Sequence, residues 1–132
     1  MIKSTAFSNF DSTRVPSPCF VVDEIAVEEN LKILARVQQA SGAKILLALK
    51  AFSMFSLAPL IDKYLSGVCA SGLHEARLGA EEFNGEVHTF SAAFKENELG
   101  DILTLSDHVV FNSFNQWHRF QPILKESRKQ NP

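Results

Sequence analysis

A strand–helix alternation that repeats four times predicts an α/β protein built on a parallel sheet. Three observations carry the prediction. Strand signals begin near residues 44, 67, 86 and 108, at about 20-residue intervals, and a helical pattern follows each one. The stretch Lys44-Ile45-Leu46-Leu47-Ala48-Leu49-Lys50 holds an unbroken apolar run between two lysines, the pattern of a short strand buried on both faces. No glycine-rich phosphate loop follows any of the four strands, so the doubly wound nucleotide folds are disfavoured. Four βα units make either a small open α/β sheet or the first half of a TIM (β/α)8 barrel, which needs eight units and typically about 250 residues.

The elements follow in order. Residues 1–17 are polar, with Pro16, and predict an arm or loosely tied edge. Pro18-Cys19-Phe20-Val21-Val22 is β-branched and aromatic and predicts a short strand, its proline tolerated at the start. Asp23 stands at an N-cap position for an amphipathic helix from Glu24 to Ser41 that Gly42 stops. Val27, Leu31, Leu34 and Ala35 form its apolar stripe, widened by Ile33, Val37 and Ala40. Glu28 and Lys32 are spaced for an i,i+4 pair. After the lysine-bounded strand, Ser53 or Ser56 would cap a helix reaching about Leu65. Pro59 fits only in its first turn, which favours Ser56.

Gly67 to Ser71 is the next strand. A helix from about Leu73 to Phe83 follows, with Leu73, Ala76, Ala80 and Phe83 inward and Asn84-Gly85 closing it. Glu86 to Phe90 is a strand, Glu96 to Leu105 a helix with Leu99, Ile102 and Leu103 inward, and His108 to Phe111 a strand. Ser113 and Gln116 form a capping box for a last helix whose apolar side is Phe114, Trp117, Phe120 and Leu124, with Pro122 as a kink. The tail from Lys125 is polar and carries no expected closing element.

Composition narrows the function. The 132 residues are 45% hydrophobic and 21% charged, a globular composition with room for one core. A net charge of −2 without a basic stretch speaks against nucleic-acid binding. No apolar run reaches the roughly 20 residues of a membrane span, and the N-terminus lacks a signal-peptide core, so a cytoplasmic protein is expected. Cys19 and Cys69 have no metal-ligand spacing and are expected as buried thiols; no metal site is predicted.

The chemistry is expected at the C-terminal ends of the strands, the edge where parallel α/β folds bind ligands. Alternation puts Leu46, Ala48 and Lys50 on one face of their strand, so a lysine ends the strand beside a small alanine. An amine against an apolar wall is poorly solvated, which favours the neutral form that attacks a carbonyl. The same edge collects Ser71, His88 and Asn112, with Glu75 in the first turn after the second strand. Each has a plainer reading. Lys50 could snorkel into solvent, Ser71 could cap a helix and Glu75 could answer the helix dipole. His88 could be a packed core histidine, and Asn112 a turn residue.

These residues carry a resemblance. Ala48-Leu49-Lys50-Ala51-Phe52 resembles the cofactor-lysine motif of the fold-type III pyridoxal-phosphate decarboxylases, the alanine-racemase-like barrels. Ornithine and diaminopimelate decarboxylases usually carry asparagine where this chain has Phe52. That departure, with Cys69-Ala70-Ser71-Gly72-Leu73-His74-Glu75-Ala76-Arg77-Leu78-Gly79 and Val110-Phe111-Asn112-Ser113, is similar to the carboxynorspermidine decarboxylase branch.

The resemblance implies that Lys50 binds pyridoxal 5′-phosphate as a Schiff base, that Ala48 leaves room beside it, and that Glu75 lines the site; His88 and Asn112 are weaker transfers, and Ser71 is a cofactor-binding candidate from its place on the same edge. It implies decarboxylation of a polyamine carboxylate in a homodimer. It also implies two regions: residues 1–23 as an arm and strand of a second β-domain, and residues 24–132 as the first half of the barrel. The phosphate loop, the acidic partner of the pyridine nitrogen and the second domain would lie beyond this segment. A half barrel would expose half its core, so the chain alone is expected to be an inactive fragment. Another fold-type III decarboxylase or racemase, a non-catalytic cofactor carrier and an inert α/β remnant remain as alternatives.

Overall fold

The computed structural model describes Phe7 and residues 10–130. Helix α1 spans Glu24–Ser41, strand β1 Leu46–Ala48, helix α2 Ala58–Ile61 and strand β2 Gly67–Ala70. Helix α3 spans Leu73–Glu82, strand β3 Glu86–Ser91, helix α4 Glu96–Leu105 and strand β4 His108–Phe111. Helices α5 (Phe114–Arg119) and α6 (Gln121–Gln130) complete the described residues. All three strand pairs are parallel and the sheet order follows the chain, β1-β2-β3-β4. The α/β class and the parallel βα repeat are as the sequence predicts.

Register explains which face is covered. Leu47, Val68 and Val87 stand side by side, with Val68 and Val87 buried, and one step along β3 and β4 Thr89 stands beside Val109. This face packs on the helices. Leu49, Val68 and Ala70 join Leu31, Leu57, Ile61, Ala76 and Phe83 in the main core. Each large apolar side chain buried there contributes about 1.5–3 kcal/mol. A second cluster of Phe94, Leu99, Ile102 and Phe120 packs against Val109 and Phe111. The contact of α3 with the sheet is close because residue 79 is glycine: a Cβ there would stand 2.7 Å from Val68 Cγ2 and 3.3 Å from Val87 Cγ2. Gly67, at φ +154°, lies so near the Glu86 backbone that a Cβ would land on its carbonyl.

The opposite face carries Leu46, Ala48, Cys69, Glu86, His88, Phe90, His108 and Val110 by the same alternation. None of these is buried; Phe90 is 42% exposed and Val110 50%. The expectation of a strand buried on both faces is therefore corrected. Among the described residues helices cover only one face of the sheet, and Leu46 and Ala48 of the apolar β1 run face the open side.

Helix α1 matches its expected bounds, with Asp23 Oδ1 accepting from the Ile25 and Ala26 amides at 3.0 and 3.3 Å, and Gly42 at φ +72° ending it. Of its stripe only Leu31 is buried, while Ile33, Leu34 and Val37 are exposed. Lys32 pairs with Glu28 at 3.6 Å and with Glu29 at 3.0 Å. Gln38 ties α1 to the sheet: its Oε1 accepts from the Ile45 amide at 2.5 Å and the Ser66 hydroxyl at 2.9 Å, and its Nε2 donates to the Tyr64 carbonyl at 2.8 Å.

Several boundaries differ from expectation. Residues 18–22 form no strand, because no neighbouring strand pairs with them among the described residues; Phe20 is 97% exposed. A 3-10 turn, Ser12–Arg14, capped by Asp11, occupies part of the expected arm; residues 1–6, 8 and 9 lie outside the described ones. Ser56 caps nothing: a 3-10 turn Phe55–Leu57 leads into the single turn of α2, with Pro59 near its start. Ala80 is exposed, and Gly79 takes the inward place on α3. The last helix breaks at Phe120 rather than kinking at Pro122, since a proline fits the first turn of a new helix. The polar tail continues as α6 to Gln130. Phe114 is 82% exposed, and the buried aromatic of this region is Phe120. Both cysteines are free thiols, as expected, but Cys19 is exposed and Cys69 half-buried.

Candidate active site

The C-terminal ends of β1 to β4 lie along one edge, and the expected residues are distributed around it. β1 delivers Lys50. The ladder continues one residue past β1, with the Leu49 amide donating to the Cys69 carbonyl at 3.1 Å. The chain then turns as the Ala48 carbonyl accepts from Ala51 and Phe52 at 2.9 and 3.2 Å. Leu49 is buried at 2% exposure and pins this turn to the core. The backbone of Lys50 is thus fixed at the sheet edge, while the residue itself is exposed. The expected apolar wall around the amine is not supplied by the described residues. Immediately after it, Ala51, Phe52, Met54 and Phe55 line an apolar depression together with Phe20 and Val22.

Ser71 and Glu75 meet at the start of α3. Glu75 Oε2 accepts from the Ser71 amide at 2.8 Å, so the acid reaches back over the first turn and answers a backbone donor there. The helix cap is Gly72 and has no side-chain hydrogen bond, so Ser71 does not cap α3. Ser71 and Glu75 line a cleft of about 300 Å³ with His74, Ser91 and Lys95, between the ends of β2 and β3. Asn112 sits apart, in a second cleft with Phe111, Ser113, Phe114 and Trp117. Its amide donates to Gln116 Oε1 at 3.0 Å while the Gln116 amide donates to Ser113 Oγ at 3.2 Å. Ser113 thus caps α5 with Gln116 as expected, and the capping box differs only in its return bond, which goes to the backbone N–H of Asn112 rather than that of Ser113.

His88 lies deeper on the open face. Register sets Ala48, Cys69, His88 and His108 in one row across the sheet, and Lys50 two residues beyond that row. The His88 ring meets Glu86 Oε2 at 2.9 Å and stacks, tilted, on His108 with centroids 4.3 Å apart. Glu86 Oε1 also pairs with Lys44. The Lys44 ammonium first, and His88 second, hold the Glu86 carboxyl down to about 2. Sequence reading singled out His88 but not Glu86 or His108. The signal was present as the i,i+2 spacing of Glu86 and His88, and as the position of His108 at the start of the next strand.

No family model matches the chain. Curated relatives do. It is 43% identical over 113 residues to a carboxyaminopropylagmatine decarboxylase of Synechocystis, covering 86% of this chain and 29% of that protein. It is 44% identical over 108 residues to a carboxynorspermidine/carboxyspermidine decarboxylase of Campylobacter jejuni, covering 82% and 28%. This chain is homologous to part of the carboxynorspermidine/carboxyspermidine decarboxylases.

It spans about three tenths of the length of the curated relatives it matches. The fold agrees. The crystal structure of carboxynorspermidine decarboxylase from Campylobacter jejuni, complexed with norspermidine, superposes with a TM-score of 0.80 at 42% identity, over 85% of this chain and 30% of that one. A D-threonine aldolase from Filomicrobium marinum superposes at 0.74 with 17% identity, a likeness of fold alone. Both neighbours are fold-type III barrels, so the four βα units here correspond to part of such a barrel.

Proposed function

We propose that this chain supplies the cofactor-lysine portion of a pyridoxal-phosphate-dependent decarboxylase acting on carboxynorspermidine or carboxyspermidine. The observation that carries the reading is Lys50, held by a pinned turn at the C-terminal edge of a parallel sheet whose homologues are polyamine-precursor decarboxylases. The residues present fit the cofactor. An amine can condense with its aldehyde, Ala48 and Cys69 leave a shallow floor beside Lys50, and the start of α3 offers amides and Ser71 at the rim. The bound cofactor supplies an electron sink for the charge left when a carboxylate departs as CO₂.

The residues of this chain bind and orient. Lys50 anchors the cofactor, and Glu75, fixed by the Ser71 amide, places a negative group at the mouth, suited to a cationic polyamine. His88 forms part of the floor one row below, and Asn112 borders the far end of the edge. The arm before α1, with Phe20 exposed, would serve a second β-domain, and the whole enzyme would work as a homodimer. Among the described residues no helix is long and apolar enough to cross a membrane.

Borohydride reduction after incubation with pyridoxal 5′-phosphate, followed by peptide mass mapping, tests the reading. The label is expected on Lys50 and absent in Lys50→Ala. Equal labelling of the other surface lysines, with none preferred at Lys50, would overturn it.

A further inference from the structure

We propose that Glu86, His88 and His108 form a divalent-metal site, suited to zinc, on the open face of the sheet. One ligand atom from each of the three lies within 4.8 Å of the others. The backbone produces this arrangement directly. Glu86 and His88 alternate to the same face of β3, and His108 on β4 is the register partner of His88. Two imidazoles and a carboxylate are a zinc donor set, and three protein ligands leave a fourth position for water or another small ligand.

The geometry needs only a small contraction. Ligand atoms around tetrahedral zinc, at bonds of about 2.0–2.2 Å, stand roughly 3.4 Å apart. His88 Nε2 and Glu86 Oε2 already lie 2.9 Å apart. The two rings stack at 4.3 Å, and His108 is exposed and able to turn. The carboxylate is also oriented from behind: Lys44 holds Oε1, so Oε2 is the oxygen presented to the histidines. Such outer-shell partners typically alter metal affinity 10- to 100-fold. The site lies below Lys50, borders the floor of the proposed cofactor mouth and shares His88 with it, but zinc binding rests on these three side chains and not on the decarboxylase reading.

The test uses the full chain carrying Cys19→Ser and Cys69→Ser, so that free thiols contribute no binding. Zinc is titrated by calorimetry and cobalt(II) by its visible absorption, with circular dichroism confirming the fold of each variant. One equivalent is expected to bind. His108→Ala, His88→Ala and Glu86→Gln are each expected to weaken affinity at least tenfold, and Lys44→Ala by a smaller factor. His108 is exposed, so that variant keeps its fold and decides the matter. An absence of stoichiometric binding, or binding unchanged by His108→Ala, would overturn the site.

Discussion

Tyr64 and Glu28 show how single side chains set the acid behaviour of this chain. The Tyr64 hydroxyl donates to Glu28 Oε1 at 2.6 Å across the α1 interface. That hydrogen bond, more than the nearby Lys32 charge, holds the Glu28 carboxyl below its ordinary value, and Glu28 in turn raises Tyr64. A carboxyl depressed in the folded state contributes stability that is complete above the ordinary carboxylate range and is lost as the pH falls through the folded value. A raised phenol contributes below its ordinary range and loses that contribution as the pH rises through its folded value. Tyr64→Phe is therefore expected to flatten both limbs of a melting-temperature profile against pH. A profile that keeps the wild-type slopes would remove this pair from the account.

Individual elements are held by caps more than by length. Helix α1 has 18 residues but buries only Leu31 fully, so its packing return is small. Its start depends on Asp23, whose one oxygen serves two amides. Asp23→Ala is expected to cost about 0.5–2 kcal/mol in urea unfolding, near the upper part of that range because two donors lose their acceptor. A loss below about 0.3 kcal/mol would mean that water replaces the cap without cost. Helix α2 shows the opposite case. It is a single turn that starts with Pro59 near its N-terminus and has no side-chain cap, and its contribution comes from burying Ala58 and Ile61.

At the scale of the whole molecule, the sheet is covered on one face and open on the other. Phe90 and Val110 lie on the open side, and β1 and β4 are both edge strands. An uncovered apolar face with unpaired edges favours association. Phe90→Lys with Val110→Lys is expected to lower dye binding by the chain and its concentration-dependent sedimentation. Neither residue is buried, so stability should change by less than about 0.5 kcal/mol per substitution. Unchanged association would place the sticky surface elsewhere, at Phe114 or Phe20.

The sequence by itself determined the βα order, the limits of α1, α4 and β4, and the place of Lys50 at the end of its strand. These follow from local rules: apolar periodicity, an aspartate cap, a glycine stop and side-chain alternation over a few residues. It also singled out Ser71, Glu75, His88 and Asn112, because residues at strand ends and first turns can be read from spacing. Only the tertiary structure decided which face each strand buries, since an apolar run looks alike whether one face or two are covered. The same holds for the 18–22 segment, which has strand propensity but gains a strand only by pairing with another one. Tertiary packing also put His108 against His88 and Glu86, from segments 20 residues apart, and left Lys50 exposed. The i,i+2 spacing puts Glu86 and His88 on one face locally, but the register that sets His108 beside them is fixed only when β3 and β4 pair.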